Sequence, residues 1–258
     1  MQYVGIVPFY TPEKIWQLYT PFVDYLNKTT SLTWKLKLYN DHNAIVNGLC
    51  NGEISVAYLG PVPFYNAYEK CQAKPLLVSL GKERKPYYRS VVITNDPAVT
   101  SMKDLKGKRI AFYKNSTASY FALRKMLEEE DIALDSIQPV YVKSQDRIID
   151  ALLRNEAAAG AVKDSLYEEF KNLNIRRVKH SPPLPPFTFC ASPSVSPETE
   201  KAFKGALLRL KPLSKPSDKQ RMKGWDPELE YGFAPTPKKY RHNVLKLKAA
   251  IEKYRDKD

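Results

Sequence analysis

KGKRIAFYKNSTASYFALRKMLEE, residues 106–129, places a short apolar strand directly before a cluster of hydroxyl residues and a helix. The strand is predicted over residues 110–113, and the helix runs to about residue 130. Ser116, Thr117 and Ser119 fall on the first turn of that helix. One hydroxyl is enough to cap a helix, so the other two require a separate explanation.

Two interpretations fit these hydroxyls. In the simpler one, Asn115 or Ser116 caps the helix and the remaining hydroxyls are solvated; the stretch taken alone favours it. In the other, the unpaired N–H groups of the first turn, the helix dipole and the hydroxyls together bind an oxyanion. A strand that leads straight into the helix supports this second interpretation, because open α/β sheets bind ligands at the carboxyl ends of their strands.

Strand-like and helical runs alternate on both sides of this stretch. YVGIVPF (3–9), TWKLKLYN (33–40), ISVAYLG (54–60) and PVYVKS (139–144) have the pattern of strands. Apolar residues at helical spacing fill the segments between them, as in PEKIWQLYTPFVDYLNKTT. This alternation predicts an α/β protein with mostly parallel sheets.

Length and charge limit the class of protein. A chain of 258 residues makes one large domain or two medium ones, and its formal net charge of +13 suggests an anionic partner. No window approaches 18 consecutive apolar residues, so no membrane span is predicted. The chain enters its first strand at once, as expected of a mature chain whose leader has been removed.

Cysteine and histidine carry little signal. Cys50, Cys71 and Cys190 lack metal-ligand spacing; a Cys50–Cys71 disulfide can form, but buried free thiols are the favoured interpretation. The three histidines are scattered as well. Neither a structural metal nor a cofactor is predicted.

Five segments of the chain form a recognisable series: GIVPFYTPEKIWQLYTPFVDYLN, NDHNAIVNGLCNGEISVAYLGPVPFYNA, YYRSVVITNDPAVTSMKDLKGKRIAF, NSTASYFALRKML and SPPLPPFTFCAS. In this order they resemble the periplasmic solute-binding proteins of phosphonate, phosphite and phosphate ABC transporters. The resemblance covers about residues 3–210. It implies a type II periplasmic-binding-protein fold: two α/β lobes, joined by crossing strands near SVVITN and FTFCAS, with a ligand cleft that closes by a hinge. Lobe one is expected at 1–91 plus 191–258, and lobe two at 92–190.

The resemblance also implies site residues. Ser116, Thr117 and Ser119, with the N–H of Ala118, match the oxyanion cradle, although Ala118 and Ser119 stand where the family usually has serine and glycine. Tyr88 matches the tyrosine of the family's "Y.S" motif and is expected to donate its hydroxyl. The further candidate ligand-binding residues are His42, Gln145, Tyr10 and Tyr58. A histidine in the site would make binding pH-sensitive, and an isolated exposed histidine is the alternative.

Two positions bear on the ligand. Family members that bind aminoalkylphosphonates hold the ammonium with two carboxylates, and the matching positions are Ser165 and Phe187. Neither is acidic, although Asp164 is adjacent. Because an unpaired buried ammonium is costly, the resemblance favours phosphate, phosphite or a simple alkylphosphonate.

Other classes were weighed against this one. No nucleophile elbow, Walker loop, GxGxxG or HExxH is present, and the basic residues are dispersed without a nucleic-acid recognition motif. A sensor domain of a membrane receptor or histidine kinase, or a transferase of the same fold, remains an alternative. The prediction is therefore a non-enzymatic, monomeric binding component of an ABC transporter. It is expected to be periplasmic or lipid-anchored outside the cytoplasm, to serve a membrane permease and to bind no nucleic acid.

Overall fold

The structure, a computed structural model, describes residues 1–81 and 85–254. The chain forms two compact units, described here one at a time. The first unit comprises the described residues of Met1–Pro8, Pro12–Tyr87 and Pro185–Leu245, and the second those of Phe9–Thr11, Tyr88–Leu184 and Lys246–Asp258.

A six-stranded sheet forms the centre of the first unit. Its strands are β1 (Gln2–Ile6), β2 (Trp34–Lys37), β3 (Val56–Leu59), β4 (Lys74–Ser79), β10 (Thr188–Ala191) and β11 (Phe233–Pro235). They are ordered β11-β4-β10-β3-β1-β2. β1 pairs in parallel with β2 and β3, whereas β10 is antiparallel to both β3 and β4.

Helices of the first unit pack their apolar faces around this sheet. They are α1 (Pro12–Thr29), α2 (His42–Cys50), α3 (Pro61–Cys71), α7 (Pro197–Leu208), α8 (Pro216–Arg221) and α9 (Tyr240–Leu245). An aromatic cluster lies in the core, where the Phe22 ring stacks on Phe189 at 5.5 Å and meets Trp225 edge-on at 5.3 Å. Large buried rings at a sheet–helix junction supply much of the apolar burial that stabilises such a unit.

The second unit has a five-stranded sheet of its own. Its strands are β5 (Ser90–Thr94), β6 (Arg109–Phe112), β7 (Gln138–Tyr141), β8 (Ala159–Lys163) and β9 (Arg176–His180). They are ordered β7-β6-β8-β5-β9. β6 pairs in parallel with β7 and β8, whereas β5 is antiparallel to both β8 and β9.

The two sheets therefore share one arrangement. In the first sheet, β1 lies between β2 and β3, and the antiparallel strand β10 lies between β3 and β4. In the second sheet, β6 lies between β7 and β8, and the antiparallel strand β5 lies between β8 and β9. The inserted strands, β5 and β10, occupy the SVVITN and FTFCAS stretches in which crossing strands were expected. Two α/β units of this kind confirm the predicted α/β fold class.

Helices of the second unit include the last helix of the chain. They are α4 (Leu123–Glu128), α5 (Gln145–Leu153), α6 (Asp164–Phe170) and α10 (Lys248–Tyr254). The carboxylate of Glu128 contacts both Lys253 and the Tyr254 hydroxyl, and the Tyr120 hydroxyl donates to the Tyr254 carbonyl over 3.1 Å.

The last helix thus packs within the second unit, although the sequence analysis grouped residues 191–258 with the first lobe. The sequence analysis predicted lobes that close on a ligand by a hinge. Packing contacts alone do not test where the boundaries of such lobes lie. The boundaries 1–91 plus 191–258 and 92–190 therefore stay a prediction.

The favoured interpretation of two cysteines was wrong. Cys50 and Cys71 form a disulfide, with their Cα atoms 5.5 Å apart, and only Cys190 is a free, buried thiol among the described residues. Cys50 ends α2 and Cys71 ends α3. These helices pack side by side, which brings the thiols together although 21 positions separate them in the sequence.

Within residues 1–81 and 85–254, no helix has the length and apolar character needed to cross a membrane.

Candidate functional site

The hydroxyl cluster follows β6 through a tight turn. Asn115 has a φ of 62°, a left-handed conformation that asparagine tolerates better than most residues. Ser116 then caps the helix, because its Oγ accepts the N–H of Ser119 over 3.2 Å. The capping role proposed for one hydroxyl is therefore performed by Ser116.

The first turn of the helix is a π-turn, Thr117–Ala122, that runs directly into α4. The Ser116 carbonyl accepts the N–H of Tyr120 over 3.1 Å and that of Phe121 over 3.2 Å. The sequence predicted an ordinary helix here, and the extra residue in this turn is the difference. Such π-turns occur often at functional sites.

Ser119 is the most unusual of the hydroxyl residues. Its side chain is completely buried, and Oγ has no hydrogen-bond partner among the residues that the structure describes. A buried hydroxyl without a partner costs about 1–3 kcal/mol, and most are satisfied. A hydroxyl placed in this way can hydrogen-bond to a bound polar molecule.

Ser90 fixes the start of the helix to the sheet. Its Oγ donates to the Ala118 carbonyl over 2.8 Å, and its own N–H donates to Ser181 Oγ over 3.0 Å. Ser90 is the first residue of β5. The peptide that carries the hydroxyl cluster is therefore held by the inserted strand of the second sheet.

Tyr88 precedes this strand and lies close to a cation. It forms a bridge with Leu184 and is buried. The Lys163 ammonium lies 4.7 Å from the centre of its ring. Lys163 ends β8, pairs directly with Ser90 and is only 3 % exposed.

Lys163 was missed in the sequence analysis. The available signal was a lysine at the carboxyl end of the small-residue strand AAAGAV, which is where α/β sheets present their binding residues. The strand itself was recognised, but its terminal lysine was not considered.

Gln145 and Tyr10 belong to the same unit. The Gln145 carbonyl oxygen Oε1 accepts the Lys163 N–H over 2.9 Å, and the Gln145 N–H donates to the Phe9 carbonyl over 2.9 Å. Thr11 N–H donates to Asp146 over 3.2 Å, so Tyr10 is held at the start of α5. Direct contacts thus link the Tyr10 segment to Gln145, Lys163, Ser90 and the hydroxyl cluster in turn.

His42 lies in the first unit. It is the first residue of α2, which Asp41 caps by accepting the Ala44 N–H over 2.8 Å. Burial lowers the pKa of His42 to about 3, against the opposing effect of the nearby Asp41 carboxylate. The imidazole is therefore neutral at physiological pH, and the isolated exposed histidine of the alternative interpretation is not what the structure shows.

Tyr58, also in the first unit, lies in the aromatic core. Its hydroxyl shares a hydrogen bond of 2.6 Å with Ser79, and its ring stacks on Phe189 at 4.5 Å. Burial raises the pKa of this phenol well above its usual value. These contacts favour a packing role, and ligand binding by His42 and Tyr58 stays a prediction.

The positions compared with the family's carboxylates have other surroundings. Phe187 is a buried residue of the first unit, with its ring 5.3 Å from that of Tyr58. Ser165 lies on α6 of the second unit, and its N–H donates to Asp164 over 3.1 Å. The other Asp164 oxygen accepts the Arg89 N–H over 3.1 Å.

Within residues 1–81 and 85–254, no three side chains of His, Cys, Asp or Glu lie close enough together to hold a metal ion.

Two α/β units with the same strand arrangement, one of them carrying a hydroxyl-rich helix start, are typical of substrate-binding proteins of the two-lobe periplasmic class. The chain belongs to the family of phosphonate ABC transporter periplasmic substrate-binding proteins, whose model matches residues 4–237. The members of this family are transport proteins rather than enzymes, which confirms the predicted class and supports it over a sensor domain or a transferase.

Solved structures show the same fold. PhnD1 from Prochlorococcus marinus, in complex with methylphosphonate, has a TM-score of 0.83 at 18% identity, with 98% of each chain covered. A binding protein component of an ABC phosphonate transporter from Pseudomonas aeruginosa has a TM-score of 0.81 at 14% identity, covering 98% of this chain and 95% of that chain. The alkanesulfonate-binding protein SsuA from Xanthomonas axonopodis pv. citri, bound to MOPS, has a TM-score of 0.65 at 15% identity, covering 98% and 93%.

Proposed function

We propose that this protein binds phosphate, phosphite or a simple alkylphosphonate at the hydroxyl-rich helix start of its second unit. The observation that carries the proposal is the Ser119 hydroxyl, which is completely buried and has no partner among the described residues. The first N–H groups of a helix lack intrahelical acceptors and carry partial positive charge. A tetrahedral oxyanion has several acceptor oxygens and matches these donors.

Neighbouring side chains supply further donors. The Gln145 amide has its oxygen engaged by the Lys163 N–H, which leaves its nitrogen as the group that can donate. The Tyr88 hydroxyl and the Thr117 hydroxyl are the other candidates. In this proposal Ser116 contributes mainly through its cap, which orients the turn for the ligand.

The proposal of a ligand with a small or apolar substituent rests on two residues. Phe187 is buried among aromatic rings, and Ser165 has no charge. Neither can neutralise an ammonium group, so an aminoalkyl tail gains no ionic partner from them. PhnD1, a structural neighbour, was solved with methylphosphonate, which has an apolar substituent.

The cellular setting follows from the family. As the binding component of an ABC transporter, the protein delivers its ligand to a membrane permease. We place it outside the cytoplasm, where the Cys50–Cys71 disulfide is chemically stable. We further propose that it acts as a monomer and that its dispersed basic residues do not bind nucleic acid.

Isothermal calorimetry tests the ligand assignment directly. Phosphate, phosphite, methylphosphonate and 2-aminoethylphosphonate are titrated into the wild type and into the Ser116→Ala/Thr117→Ala double variant. We expect one of the first three ligands to bind most tightly, and the double variant to lose at least about tenfold in affinity. Ser136→Ala, in a separate turn of the same unit, is the matched control and should bind like the wild type.

The other outcomes are decisive as well. Preference for 2-aminoethylphosphonate would show that Ser165 and Phe187 were interpreted wrongly. Failure of all four ligands to bind the wild type would overturn the phosphorus-oxyanion assignment and leave a binding protein with a different ligand. Undiminished binding by both the double variant and Ser119→Ala would move the site away from this helix start.

A further inference from the structure

Lys163 has an unusual position for a lysine. It is the last residue of β8, and only 3 % of its surface is exposed. Lysine is among the residues that are least often fully buried, because its ammonium loses hydration in the protein interior. A buried lysine at the carboxyl end of a sheet strand is therefore a candidate for binding negative charge.

Strand register places the Lys163 side chain on the face that carries the hydroxyl cluster. Lys163 pairs directly with Ser90 across antiparallel strands. Side chains that face each other in this way project from the same face of a sheet, with their Cβ atoms about 4.5–5.5 Å apart. The Ser90 side chain reaches the Ala118 carbonyl over 2.8 Å, so this face is the one on which the π-turn lies.

Two further contacts orient Lys163. The Lys163 ammonium lies 4.7 Å from the centre of the Tyr88 ring. The backbone N–H of Lys163 donates to Gln145 Oε1 over 2.9 Å. Both neighbours are site residues predicted from the sequence. Lys163 thus contacts Tyr88 through its ammonium and Gln145 through its backbone, and it pairs with Ser90, which holds the turn that carries the hydroxyl cluster.

The nearby charged groups have defined roles. Asp164 accepts backbone N–H groups from Arg89 and Ser165, over 3.1 Å in each case. The Arg89 guanidinium donates to the Ser181 carbonyl over 2.6 Å and lies 3.4 Å from His180 Nδ1. The Lys163 ammonium, in contrast, lies over the Tyr88 ring.

We propose that the Lys163 ammonium supplies a full positive charge to the anion site and makes the site select a doubly charged phosphorus oxyanion over a singly charged oxyanion of the same shape. This inference rests on the proposed function. Hydroxyl and N–H donors hydrogen-bond to either kind of anion, and neutral donors discriminate weakly by charge. A cation in a poorly hydrated site interacts more strongly with each additional negative charge.

Methylphosphonate and methanesulfonate form the matched ligand pair for the test. They have the same tetrahedral shape and the same methyl substituent. Above its second ionisation, methylphosphonate carries two charges, whereas methanesulfonate carries one. The ratio of their dissociation constants, measured by calorimetry at such a pH, reports charge selectivity separately from overall affinity.

Three variants complete the experiment. Lys163→Met keeps the length of the side chain and removes its charge, and Lys163→Arg keeps the charge. Lys179→Met removes a lysine from β9 of the same unit, where Lys179 pairs with Glu130 over 2.6 Å. We expect wild type, Lys163→Arg and Lys179→Met to favour methylphosphonate, and Lys163→Met to reduce that preference by at least about tenfold.

Each result has a defined meaning. If wild type binds neither ligand, the charge-selectivity inference fails, and the proposed function fails with it only if phosphate and phosphite do not bind either. If wild type binds methylphosphonate and Lys163→Met keeps the full preference, Lys163 does not set charge selectivity and the inference is overturned. If circular dichroism shows that Lys163→Met is unfolded, Lys163→Gln takes its place. In that case a preference in Lys163→Gln equal to that of Lys163→Arg overturns the inference.

Discussion

At the helix start, the side chains that stabilise the fold differ from the Ser119 side chain, which is available to a ligand. Ser116 Oγ, three positions earlier, caps the helix, and Ser90 Oγ holds the Ala118 carbonyl. Ser119 Oγ has no such duty among the described contacts. Residues that stabilise the helix start and a residue available to a ligand therefore occur side by side, and substitutions should distinguish them.

Replacement of Ser119 and Ser90 by alanine should have opposite effects. Ser119→Ala removes a buried hydroxyl without a protein partner, so its free energy of unfolding should not fall and should rise by up to about 1–3 kcal/mol. Its affinity for the oxyanion should fall at least about tenfold. Ser90→Ala leaves the buried Ala118 carbonyl without its donor and should cost about 1–3 kcal/mol of stability. Urea unfolding and calorimetry measure both; a Ser119→Ala protein that loses stability but keeps its affinity would contradict the assignment.

His42 should make stability, rather than ligand binding, depend on pH. Burial lowers the pKa of His42 to about 3 in the folded protein, whereas in the unfolded chain it is about 6.5. Below pH 6.5 the unfolded state therefore binds a proton that the folded state does not. This contribution to stability is complete above about pH 6.5 and falls by about 1.4 kcal/mol per unit as the pH decreases towards 3.

The His42→Gln variant isolates that effect. Between pH 7 and pH 5, wild type should lose about 2 kcal/mol more stability than His42→Gln, measured by urea unfolding at each pH. Equal slopes for the two proteins would mean that the histidine is accessible to protons in the folded state.

The candidate residues could be predicted from the sequence only in part. The hydroxyl cluster was recognisable because its members are consecutive and follow a strand. Lys163 was not recognisable, because its significance depends on its pairing with Ser90, which lies 73 positions earlier in the sequence. Strand register and burial are tertiary properties, and a lysine in an exposed position looks the same in a sequence.

The π-turn that begins at Thr117 is a feature that hydrophobic periodicity does not predict. The sequence predicted a strand, a turn and a helix here, and each is present. It did not predict the π-turn, which arises because the Ser116 carbonyl accepts two N–H groups. Apolar spacing reports which side of a helix is buried, and an additional residue in one turn changes that pattern too little to be recognised.

Helices α2 and α3 are joined at their ends by the Cys50–Cys71 disulfide, which gives a prediction for these elements. Closing a loop of this length stabilises a protein by about 3 kcal/mol through the unfolded state. Dithiothreitol should therefore lower the urea midpoint of wild type and leave that of Cys50→Ala/Cys71→Ala unchanged. Urea unfolding with and without the reductant provides the measurement, and equal midpoints for wild type would contradict the prediction.

The reason that the disulfide was not predicted is equally physical. Two cysteines 21 positions apart can pair only if the intervening elements turn back on each other. Here the intervening strand β3 and its flanking loops return the chain so that α2 and α3 lie side by side. Sequence spacing contains no statement about that packing.

The charge of the whole molecule should affect the rate at which an anion arrives. The formal net charge is +13, from 41 basic and 28 acidic residues. A field of this sign attracts anions and is screened beyond about 30 Å at 0.01 M salt and about 8 Å at 0.15 M. The association rate constant for methylphosphonate should fall severalfold between these two conditions, as followed by stopped-flow fluorescence. The dissociation rate constant should change less, and a salt-independent association rate would exclude long-range steering.

The fold of the whole molecule was the most predictable property. Alternating elements indicate an α/β class because each kind of element must bury an apolar face against the other. The order of the strands was available only through the resemblance to a family. Local periodicity does not specify which strands become neighbours, and β10 lies beside β3 although Tyr88–Leu184 of the second unit separates them in the chain.

That neighbourhood has a consequence for biosynthesis. β10 fills the position between β3 and β4, yet it is complete only once residue 191 has been translated. Until then the edges of β3 and β4 that pair with β10 lack a hydrogen-bonding partner strand. Unpaired strand edges of this kind are prone to aggregation and are recognised by chaperones. The first unit begins translation first but cannot finish folding first. A ribosome-bound chain that ends before β10 should therefore be sensitive to protease in its first 80 residues or so, and one that includes β10 and the tail should be resistant.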